Sequence, residues 1–439
     1  LIFDFCIFKL TNSQFEFRQG CSLLSTPDEL WMFFLFLLGA STGSFLNVLV
    51  WRLPREISIV HPGSHCVRCK HPLAWYDNLP VIGWFLLMGR CRYCGEKFSI
   101  RYPLVELLTG ILFVILYWAY FVEGVRQFMP DFTNGGFLIY AGHIILICAL
   151  LAGSLIDAEH WIIPLSLCYA AALCGAVLSM IWPYLLTLDP SSFWRLIPYA
   201  GPKTAALALG AALGLIIGIL LLYFGVLSRS FTESIALETP PPAATGPQPG
   251  GEEGESPVAQ PHSAPCDSAK SETEGEVNIR REMLRELLFL TPAIILAIVF
   301  FLFLSGKNSF TEAWQRVIIE QKWLAGLSGS LFGFMIGGGI VWFTRILGSL
   351  AFGREAMGLG DVHLMAAVGA VLGWFSATVA FFVAPFLGLG WAISRLIIHR
   401  SREIPYGPFL SLATVMVIFM HDILAAYFWN VFTADMPLP

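Results

Sequence analysis

Charge is what this sequence has least of. Asp, Glu, Lys and Arg make up 13% of its 439 residues, against about 25% in ordinary soluble domains. With 56% hydrophobic residues and a mean hydropathy of +0.69, that shortage excludes a conventional soluble globular chain. A basic surplus is missing as well. The formal net charge of −5 leaves no electrostatic footprint for a nucleic-acid partner. Residues 1–29 lack a basic stretch running directly into an apolar one, and no small-residue cleavage site follows, so they do not read as a cleaved signal peptide. No internal repeat is visible. The ten cysteines do not announce disulfides: Cys148, Cys168 and Cys174 lie in apolar stretches, where a thiol behaves as a small hydrophobe.

What is present is a series of apolar runs about one bilayer long, which takes roughly 20 residues. The fold class they imply is an all-α polytopic membrane protein. Spans are read at 30–51, 103–122, 136–156, 161–182, 204–226, 287–304 and 324–344, a pair over 361–398 split near "LGWFS", and a last one at 409–430. That makes ten transmembrane helices. Residues 1–29 form an N-terminal extracytoplasmic segment, and 431–439 a tail. The segment 52–102 carries eight Lys or Arg side chains, so the positive-inside rule makes it a cytoplasmic loop domain. The stretch 228–286 is rich in Pro, Gly, Ser and Glu and nearly free of aromatics. It cannot bury enough apolar surface to offset chain entropy, so it reads as a disordered acidic cytoplasmic linker.

Two motifs stand out. Cys66/Cys69 and Cys91/Cys94 form paired CxxC knuckles inside the cytoplasmic loop, the pattern of a tetrahedral zinc site. Four thiolates close the coordination sphere, so the zinc is expected to be structural and not hydrolytic. His65 and His71 flank the first knuckle as substitute ligands or surface residues. Arg68, Lys70, Arg90 and Arg92 alternate with the cysteines; they set topology or meet anionic headgroups.

The second motif is a pair of carboxylates. Asp157 closes "LLAGSLIDAEHWIIP" and Asp361 opens a span within "EAMGLGDVHLMAAVGAVLG". An even number of spans lies between them, so both reach the cytoplasmic face. One such Asp is as well explained by helix capping. Two on one face, at the edge of a membrane, point to chemistry. Close like charges leave one carboxyl protonated beside one that is ionised, which serves as acid and base together. One would take a proton from water while the other donates to a peptide carbonyl. Gly358 and Gly360 would let a substrate backbone approach closely. Glu106 and Asn47, inside spans, are either supporting site residues or interfacial and interhelical contacts.

Gly358-Leu359-Gly360-Asp361 resembles the GxGD motif of membrane aspartic proteases. The resemblance widens with "GSFLNVLVWRLP", both CxxC pairs, "WYDNLPVIGW", "RYPLVELL", "IDAEHWIIP", "AMGLGDVHL" and "EIPYGPFL". In this order they resemble the type 4 prepilin peptidase family. The resemblance implies that Asp157 and Asp361 are the catalytic dyad. The reaction would be cleavage of the short basic leader of prepilin or pseudopilin substrates after a Gly, for pilus assembly or type II secretion. It would take place at the cytoplasmic face of the inner membrane. It also implies N-methylation of the new terminus with S-adenosylmethionine, although no glycine fingerprint marks a pocket for that cofactor. A peptidase without methyl transfer is the alternative. A proton-coupled transporter fits less well, since transporters show paired repeats and mid-membrane sites. Two departures from the family pattern are plain. The family has about eight spans against ten here, and His363 stands where many relatives have Lys.

Overall fold

The computed structural model describes residues 26–66, 68–185, 196–228, 279–306, 309–398 and 406–432. The extracytoplasmic segment before residue 26, most of the linker (229–278) and the tail from 433 lie outside the described residues. Eleven helices are used below: α1 Thr26–Arg52, α2 Ile82–Leu86, α3 Arg101–Tyr117, α4 Gly136–His160, α5 Leu165–Leu185, α6 Pro202–Tyr223, α7 Ile279–Leu304, α8 Ser309–Glu320, α9 Lys322–Phe352, α10 Leu359–Ile398 and α11 Gly407–Phe432. Among the described residues nine helices are long and apolar enough to cross a membrane, as a multi-pass protein requires. The chain separates into two compact units, Leu1–Asn47 with Val60–Gly124 and Val48–Ile59 with Val125–Pro439.

In the first unit, α1 and α3 meet through glycine. A Cβ on Gly43 would lie 2.7 Å from the Glu106 Cα, and one on Gly39 2.8 Å from the Phe113 ring. Missing side chains let the two backbones close in, the usual means of helix association where lipid removes a hydrophobic drive. Asn47 Nδ2 donates to the Tyr102 carbonyl at 3.1 Å, a second tie between the same helices.

Over the described residues the ten spans of the sequence reading become nine long apolar helices, and the difference falls on α10 in the second unit. It is a continuous helix except at Gly373, whose φ of 85° and ψ of 168° are not helical. The chain reverses there. A Cβ on Gly337 of α9 would strike the Met365 carbonyl and sit 3.3 Å from the Ala377 methyl, while one on Gly333 would strike the Gly369 carbonyl and lie 3.2 Å from the Gly373 Cα. Residues on both sides of Gly373 thus face one short stretch of α9, so 359–372 and 374–398 form a hairpin. Only glycine adopts that φ/ψ without strain. The reversal returns the chain to the end of the bundle from which α10 starts, where α11 begins.

Two further differences have simple causes. Helix α7 starts at Ile279, so residues 279–286 are helical and do not belong to a disordered linker. Its first turns, "IRREMLRELL", are polar enough to hide from an apolar-run search. Helix α8 carries Glu312, Arg316 and Glu320 on one side and buries Thr311 and Ile318, with Trp314 Nε1 donating to the Pro202 carbonyl at 2.8 Å.

Candidate active site and candidate metal centre

Asp157 owes its position to how α4 ends. Trp161 adopts a left-handed φ of 58° and its amide bonds the Asp157 carbonyl at 2.9 Å. The helix therefore stops one turn beyond Asp157. Asp361 is the third residue of α10, where the helix dipole favours a carboxylate. The preceding helix α9 is closed by Gly353 with φ 66°, its amide on the Ser349 carbonyl at 3.0 Å, in the manner of a left-handed C-cap.

These two ends meet. Asp157 and Asp361 are 7% and 8% exposed, and their carboxyl groups lie close enough to interact electrostatically. Ile163, in the linker after α4, is packed between their supports. It would touch a Cβ on Gly360 at 2.9 Å and one on Gly407 at 3.2 Å. The Gly407 amide donates to Asp157 Oδ2 at 3.1 Å, and the Gly358 amide to Asp361. Tyr406 stands beside Asp361. Burial, and then that carboxylate's charge, push its phenol up to about 12, so it remains a neutral hydroxyl at physiological pH. A small apolar cavity, about 10 Å³, is lined by Leu150, Gly153, Leu167, Leu364 and Ala367 of α4, α5 and α10.

The two glycines of GxGD have different surroundings. Beside Gly358 the nearest neighbour of an added Cβ is Asp361 Oδ2 at 3.7 Å, which leaves room for a substrate backbone. Beside Gly360 the space is filled by Ile163, so its missing side chain serves packing within the chain. That corrects the expectation of substrate approach at both. His363 turns from the carboxylates: Nδ1 bonds the Leu359 carbonyl at 2.7 Å, and the ring meets Tyr169 edge-on at 5.5 Å. Ile163, Tyr406 and Gly407 carried no signal of their own, although all three lie inside the quoted blocks "IDAEHWIIP" and "EIPYGPFL".

In the other unit, Cys66, Cys69, Cys91 and Cys94 bring their sulfurs within 4.8 Å of one another and form a group that can hold a metal ion. The two knuckles are near copies. Cys66 N bonds the His71 carbonyl at 2.9 Å and Cys91 N the Glu96 carbonyl at 2.7 Å. The residue after each second cysteine is left-handed, Lys70 at φ 58° and Gly95 at φ 70°. The donor set fits a soft cation. The Cys69 amide chiefly, with that of Arg68, holds the Cys66 thiol down to about 7. Against the pull of the Glu96 amide, desolvation and the neighbouring thiols push Cys94 up to about 11. Four sulfurs this close become thiolates together only around a positive ion. The flanking histidines are engaged elsewhere: His65 Nδ1 contacts the Gly63 carbonyl at 2.8 Å, and His71 stacks on Tyr93 at 3.6 Å. Two of the alternating arginines are neutralised within the loop, Arg68 by Glu96 at 2.6 Å and Arg92 by Asp77 at 2.5 Å. Glu106 accepts from the Val81 amide at 2.7 Å, which anchors a residue whose φ is 62°.

Comparison with known proteins agrees with this division. Residues 37–120 match the model of the bacterial peptidase A24 N-terminal domain, and residues 288–393 that of the type IV leader peptidase family. The first stretch holds all four cysteines; the second holds Asp361, while Asp157 lies outside both. Among curated proteins, the chain is similar to prepilin leader peptidase/N-methyltransferases. One from Myxococcus xanthus is 44% identical over 33% of this chain and 39% of the relative. One from Klebsiella pneumoniae is 37% identical over 36% and 61%, and one from Dichelobacter nodosus 31% identical over 40% and 65%. The chain thus spans less than two thirds of the length of each of these relatives. No solved structure matches it. Both matched stretches follow in order along one multi-pass chain, and in this the chain is similar to members of the type 4 prepilin peptidase family.

Proposed function

We propose that this protein is a membrane aspartic endopeptidase that removes the leader from prepilin-like substrates at the cytoplasmic face of the inner membrane. The observation that carries the proposal is the convergence of Asp157 and Asp361, 204 residues apart in sequence, at one end of the bundle around Ile163 and Gly407. Two carboxyls close enough to feel each other's charge can share a proton. The ionised one takes a proton from water as it attacks the scissile carbonyl, and the protonated one donates to that carbonyl's oxygen. The Gly407 amide occupies Oδ2 of Asp157 and leaves its other oxygen for the water. Open space at Gly358 admits the substrate backbone.

The four cysteines are assigned to a structural zinc ion. Their relatives' names include N-methyltransferase, and the same reading extends to methylation of the new N-terminus with S-adenosylmethionine. Mass spectrometry of processed substrate separates the two activities: an unmodified terminus from an actively cleaving enzyme leaves a peptidase alone.

The decisive test is cleavage of a prepilin peptide by the purified full chain. Asp157→Asn and Asp361→Asn are each expected to slow it by about 10²- to 10⁴-fold, the range for loss of a general acid or base. Wild-type rates in either variant refute the dyad.

A further inference from the structure

Arg345 lies in the apolar helix α9, 1% exposed, and no step of the cleavage chemistry uses it. Its guanidinium reaches three groups on two other segments. It meets Glu286 of α7 through Nη2 at 3.1 Å and Nε at 3.2 Å. Its Nη1 contacts the Glu355 carboxylate and the Met357 carbonyl, both in the turn that leads into α10. Trp342 Nε1 fixes the other oxygen of Glu286 at 2.8 Å, and the Ala356 amide donates to Ser349 Oγ at 3.1 Å. The turn that carries GxGD is therefore tied to α9 at Glu355, Ala356 and Met357, immediately before Gly358.

Taking an Arg–Glu pair out of water is costly, and well-packed apolar residues often serve stability as well or better. Helix α7 makes the arrangement more pointed. It is the least buried of the nine apolar helices, yet it sends Glu286, 4% exposed, inward to Arg345. The rigid fork of an arginine can hold a carboxylate and a turn at the same time in fixed geometry. Arg345 is also within electrostatic reach of Asp361.

We propose that Arg345 and Glu286 are positioning residues for Asp361: together they form a buried strut that fixes the turn 353–358 and so the angle at which Asp361 faces Asp157. The catalytic consequence rests on the peptidase reading; the strut itself does not. A lysine at 345 keeps the charge but cannot fork, and a displacement of about 1 Å at a reacting group can cost about 10²-fold in rate.

The test uses the purified full chain with two readouts. The first is kcat and KM for a prepilin peptide. The second is tryptic nicking after Arg354, an exposed residue of the turn, which reports turn mobility without any catalysis. Arg345→Lys is expected to lower kcat at least about 10-fold with KM changed less than about twofold, and to speed nicking at Arg354 about 10-fold. Glu355→Gln, whose side chain is 46% exposed and whose loss spares the buried pair, should move both readouts the same way by less. Unchanged nicking in both variants overturns the strut. So does loss of thermal stability in Arg345→Lys with no change of kcat or nicking in Glu355→Gln. If the wild-type chain does not cleave the peptide, the peptidase reading fails and nicking still decides the strut.

Discussion

The cysteine cluster and the aspartate pair are built in opposite ways. All four sulfurs come from residues 66–94, and each knuckle closes on itself through bonds such as Cys66 N to the His71 carbonyl. The aspartate site is assembled from α4, the linker at Ile163, the turn before α10 and the start of α11. Its amide bond from Gly407 to Asp157 spans 250 residues. A local site is specified by spacing and one metal ion. A distant one is specified by where helices end, so it is vulnerable at positions that carry no chemistry.

Gly407 is where that difference is broken most sharply. A Cβ there would sit 2.7 Å from Asp157 Oδ2 and 3.3 Å from its Cγ. Gly407→Ala therefore forces Asp157 to rotate away from the amide at 407, which the substitution leaves in place. Cleavage is expected to fall about 100-fold, with zinc content unchanged, by the same sensitivity of rate to small displacements. Near-wild-type cleavage would show that the hydrogen bond does not orient the carboxylate.

The two sites were legible in the sequence to different depths for the same reason. Both cysteine pairs could be read directly, because their ligand spacing is short and chemically specific. Asp157 and Asp361 could be read as residue types at the edges of spans, and counting spans put them on one face. Among the described residues four long apolar helices, α5, α6, α7 and α9, lie between them, the even number the reading expected. What joins the aspartates could not be read. Ile163 is one apolar residue among many, and Gly407 one of 40 glycines. Glu286 and Arg345, 59 residues apart, look separately like membrane-edge charges. The roles of these residues depend on long-range packing, which periodicity does not report.

The cysteine cluster answers to a different change. Cys66→Ser is expected to drop bound zinc from about one ion per chain to a small fraction of that, since a structural site needs its four ligands. Metal analysis of the purified chain measures it, and an unchanged stoichiometry removes the four-cysteine assignment. Because the ligands and the dyad lie in different compact units, cleavage should fall less in this variant than in Gly407→Ala. A larger fall would mean that the metal supports the peptidase site as directly as Gly407 does.

The smallest effect is expected around the cysteines, at Asp77. Its side chain is 2% exposed and holds Arg92, which is itself 49% exposed and lies between two ligands in sequence. The pair orients the second knuckle, and Arg92 also packs over Tyr76 at 5.4 Å. A half-exposed partner is screened by water, so such a bond contributes little. Asp77→Asn keeps the shape and one acceptor oxygen. Zinc should still bind at one ion per chain, with its loss to a chelator faster by roughly two- to fivefold. On the proposed mechanism an aspartate of the pair has no such tolerance, because its charge would carry the chemistry. If Asp77→Asn empties the metal centre outright, the knuckles are not self-sufficient, and the contrast between a local and an assembled site is narrower than the ligand spacing implies.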